Sequence, residues 1–191
     1  MSNSNELSGL RVAVLATEGF EQDELFKPAE ALRAAGAIVT IVAPQDGELQ
    51  GFVHHDRGKS VAVDLVLDRA EPDAFDALLM PGGALNADQL RAVPKAVAFA
   101  KSFFDAGKPV GAICHAGWTL VESGAVKGRT MTSWPSIATD LENAGATWVD
   151  EEVVVDANFV TSRKPDDIPA FNRELITLFA KAKSDRLAHA K

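Results

Sequence analysis

The chain has 191 residues, 47% of them hydrophobic and 24% charged, with a formal net charge of −8. That length suits one domain with a real core, and the composition is that of an ordinary globular protein. The acidic balance argues against a nucleic-acid footprint or a polybasic membrane contact. A single cysteine, Cys114, excludes an intrachain disulfide and a cysteine-rich zinc site. A lone free thiol favours a reducing compartment, so a cytoplasmic location is expected. The N-terminal residues show no basic start followed by an apolar run, so no signal peptide is read. No apolar run is long enough to span a membrane.

Residues 1–9 are polar and are expected to be a flexible N-terminus. Residues 10–182 read as one domain, and 183–191 as a polar tail. Residues 11–16 form a first apolar strand, followed by the loop 17–23. Leu25, Phe26, Ala29, Leu32 and Ala35 then recur at helical spacing, and Gly36 ends the run. A second strand covers 38–43, so the chain opens as a parallel βαβ unit. Residues 45–66 break the rhythm with Gly47, Gly51 and Gly58 and predict a small β-hairpin inserted on one edge. A short buried strand at 77–80 ends in Pro81-Gly82-Gly83, where two glycines let the backbone approach something bound. Helices are predicted over 86–92 and 94–106, with Pro94 suited to a first turn. A buried strand over 110–113 leads into Cys114-His115 and a helix to Gly124. A strand near 125–132, a helix over 136–144, strands at 147–149, 153–156 and 159–162, and a closing helix over 168–182 complete the chain. Strands alternating with helices predict an α/β sandwich with a mostly parallel sheet, whose site lies beyond the carboxyl ends of the strands.

That rule gathers the candidates. Cys114 stands at a strand-to-helix turn among small residues, the setting that lifts a nucleophile above a sheet. The following helix offers N–H groups and a positive dipole end to a thiolate. The competing reading is a buried space-filler. Backbone N–H groups of Gly83 and His115 are candidate oxyanion donors. A carboxyl beside the sulfur helps a thiolate only if protonated, and Glu21 is preferred to Glu18 for that place. His115 is a proton-transfer candidate, although adjacent side chains usually point apart. Asp88 and Asp140 are both candidates to orient it. Trp118 and Trp134 are candidate pocket walls. His54-His55 lacks the usual metal-ligand spacing, and no phosphate-binding glycine motif follows the first strand, so no metal or organic cofactor is expected.

Five segments together resemble the PfpI family (intracellular protease I), within the class I glutamine amidotransferase-like superfamily that includes the parkinsonism-associated deglycase. They are residues 20–25, 77–83, 107–115, 145–150 and 153–163. The resemblance spans about residues 10–180. It implies a flavodoxin-like three-layer α/β/α sandwich and a homodimer or larger homo-oligomer. It implies Cys114 as nucleophile, Glu21 as the protonated carboxyl beside it and His115 as proton-transfer partner. Gly82, Gly83 and Trp118 would shape the substrate site. In the proteolytic branch an acidic residue reaches the histidine from a neighbouring subunit, and Asp88 is the nearest match. Three functions follow: a stress-protective glyoxalase or deglycase acting on small reactive carbonyls, a cysteine peptidase or amidase acting on peptides, and a non-enzymatic redox sensor or chaperone.

Overall fold

A computed structural model describes residues 5–189. Its strands and helices follow the apolar runs of the sequence. They are β1 (Arg11–Leu15), β2 (Phe20–Glu21), α1 (Gln22–Ala34), β3 (Ile38–Ala43), β4 (Glu48–Val53), β5 (Asp56–Ala62) and β6 (Leu65–Val66). The chain continues through β7 (Ala77–Met80), α2 (Ala84–Arg91), α3 (Pro94–Asp105), β8 (Val110–Ile113) and α4 (Gly117–Ser123). It closes with β9 (Thr130–Met131), α5 (Ala138–Asn143), β10 (Thr147–Trp148), β11 (Val153–Asp156), β12 (Phe159–Ser162) and α6 (Ile168–His189).

Seven strands form the central sheet in the order β11-β12-β8-β7-β1-β3-β6. Only the β11–β12 pair is antiparallel. Such a sheet must be covered on both faces, and its strands are accordingly largely apolar. In β1 the side chains alternate between the two covers. Val12 and Val14 join Leu25 and Leu32 of α1 and Phe171, Leu175 and Phe179 of α6. Ala13 and Leu15 join Phe99 and Phe103 of α3 and Leu120 of α4. Each fully buried Leu or Phe in these layers contributes about 1.5–3 kcal/mol by leaving water. This is the flavodoxin-like three-layer sandwich expected from the sequence.

Three expectations change. The hairpin β4–β5 does not extend the central sheet, because β2 pairs with β4 and the three strands make a separate sheet. Phe20–Glu21 stays extended after β1 and captures the hairpin, while the short β6 becomes the edge of the main sheet. The N-terminal segment is not loose over residues 5–9. Leu7 is fully buried, and its N–H donates to Ala35 O at 2.9 Å, pinning the segment to the end of α1. Finally, α6 runs through the polar residues 183–189, since Ala, Lys, Arg and Leu are good helix formers and no Gly or Pro stops them. The remainder of the expected flexible start and polar tail, 1–4 and 190–191, lies outside the described residues.

Candidate active site

The connection from β1 runs to β3 on one side of it, and the chain then returns to β7 on the other side. That reversal opens a crevice beyond the carboxyl ends of β1, β7 and β8, the place where open α/β sheets bind ligands. Residues from the ends of all three strands line a cavity of about 450 Å³ there.

Cys114 leaves β8 with φ of 62°, a left-handed conformation rarely taken by a side-chain-bearing residue. A 3₁₀ turn, Cys114–Ala116, follows at once and leads into α4. Gly82 makes this geometry possible. A Cβ at that position would collide with Glu24 Oε2 and come within 2.6 Å of Cys114 Cβ. Asn86, fully buried, fixes the Pro81-Gly82-Gly83 turn. Its Nδ2 donates to Pro81 O and Gly82 O at 3.0 and 3.1 Å, and its Oδ1 accepts from Thr17 N–H at 2.7 Å. The end of β1 is thereby tied to the end of β7.

The carboxyl beside the sulfur is Glu24, where the sequence had suggested Glu21. Glu24 is fully buried, and its carboxyl interacts electrostatically with the Cys114 thiol. Its Oε2 accepts from Gly82 N–H at 3.0 Å, and its Oε1 is buried with no hydrogen-bond partner. An ionised carboxylate would leave that oxygen unsatisfied at considerable cost. Burial first, and then the charge of Glu21, raise its pKa to about 8. The acid therefore keeps its proton at neutral pH. Glu21 is the last extended residue before α1, so it turns outward to the hairpin, and its Oε2 accepts from His54 N–H at 3.1 Å. One helical turn later the chain has brought Glu24 back under Gly82. Glu21 stays at the cavity rim, its own pKa raised by burial against the opposing His54 N–H.

The electrostatics of Cys114 follow from this. Burial pushes the thiol up, and an ionised Glu24 pushes it further, while the N–H groups of Gly83 and His115 pull the other way. With the proton on Glu24 the charge repulsion disappears, and a protonated carboxyl beside the sulfur is able to donate to a thiolate. Gly83 and His115, expected as oxyanion donors, thus converge first on the nucleophile itself.

His115 Nδ1 lies 3.2 Å from Cys114 Sγ. The expectation that neighbouring side chains diverge fails because the left-handed φ at Cys114 and the tight turn swing both to one side. The imidazole is held edge-to-face by Trp118, with ring centroids 5.3 Å apart, and is stacked near-parallel on Trp134 at 6.0 Å. Burial lowers its pKa, which keeps it neutral and able to accept a proton. Trp134 lines the cavity, whereas Trp118 stands behind His115 and donates from Nε1 to Asp140 Oδ2 at 2.7 Å. Asp140 thus meets the histidine's neighbour and not the histidine. Asp88 is exposed on α2, and among the described residues no hydrogen bond or ion pair joins it to His115. Glu18 serves the hairpin, its Oε2 accepting from Gln50 N–H at 2.8 Å. His54 and His55 stand at the cavity rim, and among the described residues no group of three or more His, Cys, Asp or Glu could hold a metal.

Sequence reasoning missed two residues, of which one had a signal. Glu24 sits four residues before Pro28 and eight before Leu32, on the buried stripe of α1, where an acid is out of place unless it has a role. Asn86 lies in the first turn of a helix after two glycines and gave no periodic cue.

The profile of the DJ-1/PfpI family matches residues 10–178. The chain is 44% identical over 170 residues to Protein/nucleic acid deglycase 2 of Escherichia coli, covering 88% of this chain and 96% of that one. It is 45% identical over 175 residues to General stress protein 18 of Bacillus subtilis, covering 91% and 99%. A ThiJ/PfpI domain protein from Brachyspira murdochii superposes with a TM-score of 0.83 at 21% identity, over 91% of this chain and 98% of that one. The chain that carries this cysteine elbow belongs to the DJ-1/PfpI family.

Proposed function

We propose that this protein is a stress-protective enzyme of the deglycase and glyoxalase type, acting on reactive carbonyls through the Cys114 thiolate. The observation that carries the reading is the convergence of two N–H donors, those of Gly83 and His115, and the buried Glu24 carboxyl on one strained cysteine at a cavity floor. Deglycase and stress-protein names among relatives at 44–45% identity support it.

The chemistry needs no outside oxidant or reductant. The thiolate adds to the aldehyde carbon of a 2-oxoaldehyde such as methylglyoxal. The carbonyl electron pair moves to oxygen, which takes up a proton, giving a hemithioacetal. The hydrogen on the former aldehyde carbon is then transferred to the adjacent carbon, converting the adduct to a thioester of the 2-hydroxy acid. His115, neutral and 3.2 Å from the sulfur, is placed to carry these protons. Water cleaves the thioester, releasing lactate and restoring the thiol. On a glycated amine the same attack breaks the carbon–nitrogen bond, and the amine leaves with a proton.

A homodimer or larger homo-oligomer is part of this reading. Asp88, exposed on α2, is available to a second copy of the chain. The lone free thiol fits a reducing compartment, which supports a cytoplasmic location. Among the described residues no helix is long and apolar enough to cross a membrane.

Incubating the purified protein with small aldehydes, amides and peptides, and identifying the products, tests the proposal. Lactate from methylglyoxal is the expected result. Peptide or amide cleavage without lactate would transfer the same thiolate to the peptidase reading, and an inert protein whose cysteine only oxidises would leave the sensor reading.

A further inference from the structure

The cavity is larger than a three-carbon substrate requires, and its outer wall has a distinct character. A volume of about 450 Å³ falls within the ~300–1,000 Å³ typical of sites for ligands the size of drugs. The floor is polar and reactive: Cys114, Glu24 and the Gly83 backbone. The outer wall carries Phe52, Leu85 and Trp134. Leu85 is 48% exposed and Trp134 37% exposed, two of the five large hydrophobic side chains that the described part of the chain leaves open. A third, Val53, adjoins Phe52 on β4. Exposed apolar side chains gathered at the mouth of a cleft mark a binding surface. No lysine or arginine lines the cavity, so it offers no cationic clamp for a phosphate or carboxylate arm.

Resting on the carbonyl chemistry proposed above, we infer that the outer cavity is a subsite for an apolar, planar substituent, so that aryl-bearing 2-oxoaldehydes and their adducts are preferred to methylglyoxal. With its aldehyde carbon at Cys114, an aryl group extends outward between Leu85 and Trp134, where a methyl group does not reach. The indole of Trp134 offers an aromatic face, and burying an aryl ring there removes apolar area from both partners. Leu85 is the cleaner probe, because Trp134 also stacks on His115.

The test compares phenylglyoxal with methylglyoxal, following mandelate and lactate. Wild-type kcat/KM is expected to favour phenylglyoxal at least about tenfold, and Leu85→Ala to reduce that preference roughly five- to tenfold, mainly through KM. Equal kcat/KM values, or a preference that Leu85→Ala leaves intact, overturn the subsite. A second arm is independent of turnover: binding of mandelate and lactate to the Cys114→Ala protein, read by calorimetry. If neither aldehyde is consumed but mandelate binds at least tenfold more tightly than lactate, the subsite stands and the glyoxalase reading fails. Equal affinities sink the subsite whatever the turnover. If Leu85→Ala depresses both substrates equally and lowers the mass of the protein in solution, the patch is a contact between copies and the inference is wrong.

Discussion

Replacing Cys114 with Ala is expected to reduce kcat/KM for methylglyoxal by at least ~10³-fold, the scale on which loss of a covalent nucleophile is felt. No other side chain can substitute, since Cys114 is the sole cysteine of the chain. The fold should survive the change. Alanine keeps the Cβ and tolerates the left-handed φ no worse than cysteine, and the sulfur's hydrogen bonds belong to the site and not to the core. Unfolding curves for the two proteins should therefore lie close together while the steady-state rates separate. An alanine protein that makes lactate at the wild-type rate would remove the nucleophile from the account.

Glu24→Gln has its largest effect on stability, and the direction depends on pH. In the unfolded chain this acid ionises near its ordinary value of 4.5, whereas in the folded protein it holds its proton to about 8. Between those values the folded state binds more protons than the unfolded state, so stability falls as pH rises. The shift corresponds to roughly 3–5 kcal/mol lost from this group across that window. Glutamine fills the same space without a titrating proton, so it lacks that slope. His115 contributes with the opposite sign: its folded pKa is lowered by burial, so its part of the stability grows as pH rises towards its ordinary value. Because both proteins share that contribution, the difference between their curves isolates Glu24. Urea unfolding from pH 4.5 to 8.5 should show the glutamine protein gaining steadily on the wild type. Parallel curves would mean that Glu24 is ionised in the folded state, and the thiolate would then lack the carboxyl donor.

The layered fold was legible because most of its strands are largely apolar runs of four to six residues, which suit a sheet covered on both faces. The boundaries of β3, β7, β8, β11 and β12 follow directly from those runs. The pairing of the hairpin was not legible, because it depends on two residues, Phe20 and Glu21, that look like loop until β4 lies alongside them. Within the site, Cys114 stood out by its neighbours and its uniqueness. The choice of acid failed for a geometric reason. Glu21 and Glu24 differ by one helical turn, and where α1 begins decides which of them points at the sulfur. A start at Gln22 sends Glu21 to the hairpin and Glu24 inward. The position of His115 was likewise hidden in a single dihedral angle, the positive φ of Cys114.

The central claim is that protonated Glu24, and not Glu21, holds the Cys114 thiolate. The rate of Cys114 alkylation by iodoacetamide as a function of pH measures the thiolate directly. In Glu24→Leu, which keeps the bulk but has no donor, the midpoint of that profile should rise by at least about one pH unit above wild type, as expected for loss of a hydrogen bond to a charged group. Glu24→Gln, which retains an N–H donor, should stay nearer wild type, and Glu21→Gln should not raise the midpoint. A Leu protein alkylated with the wild-type profile, or a Glu21→Gln protein that reproduces the shift, would contradict the assignment.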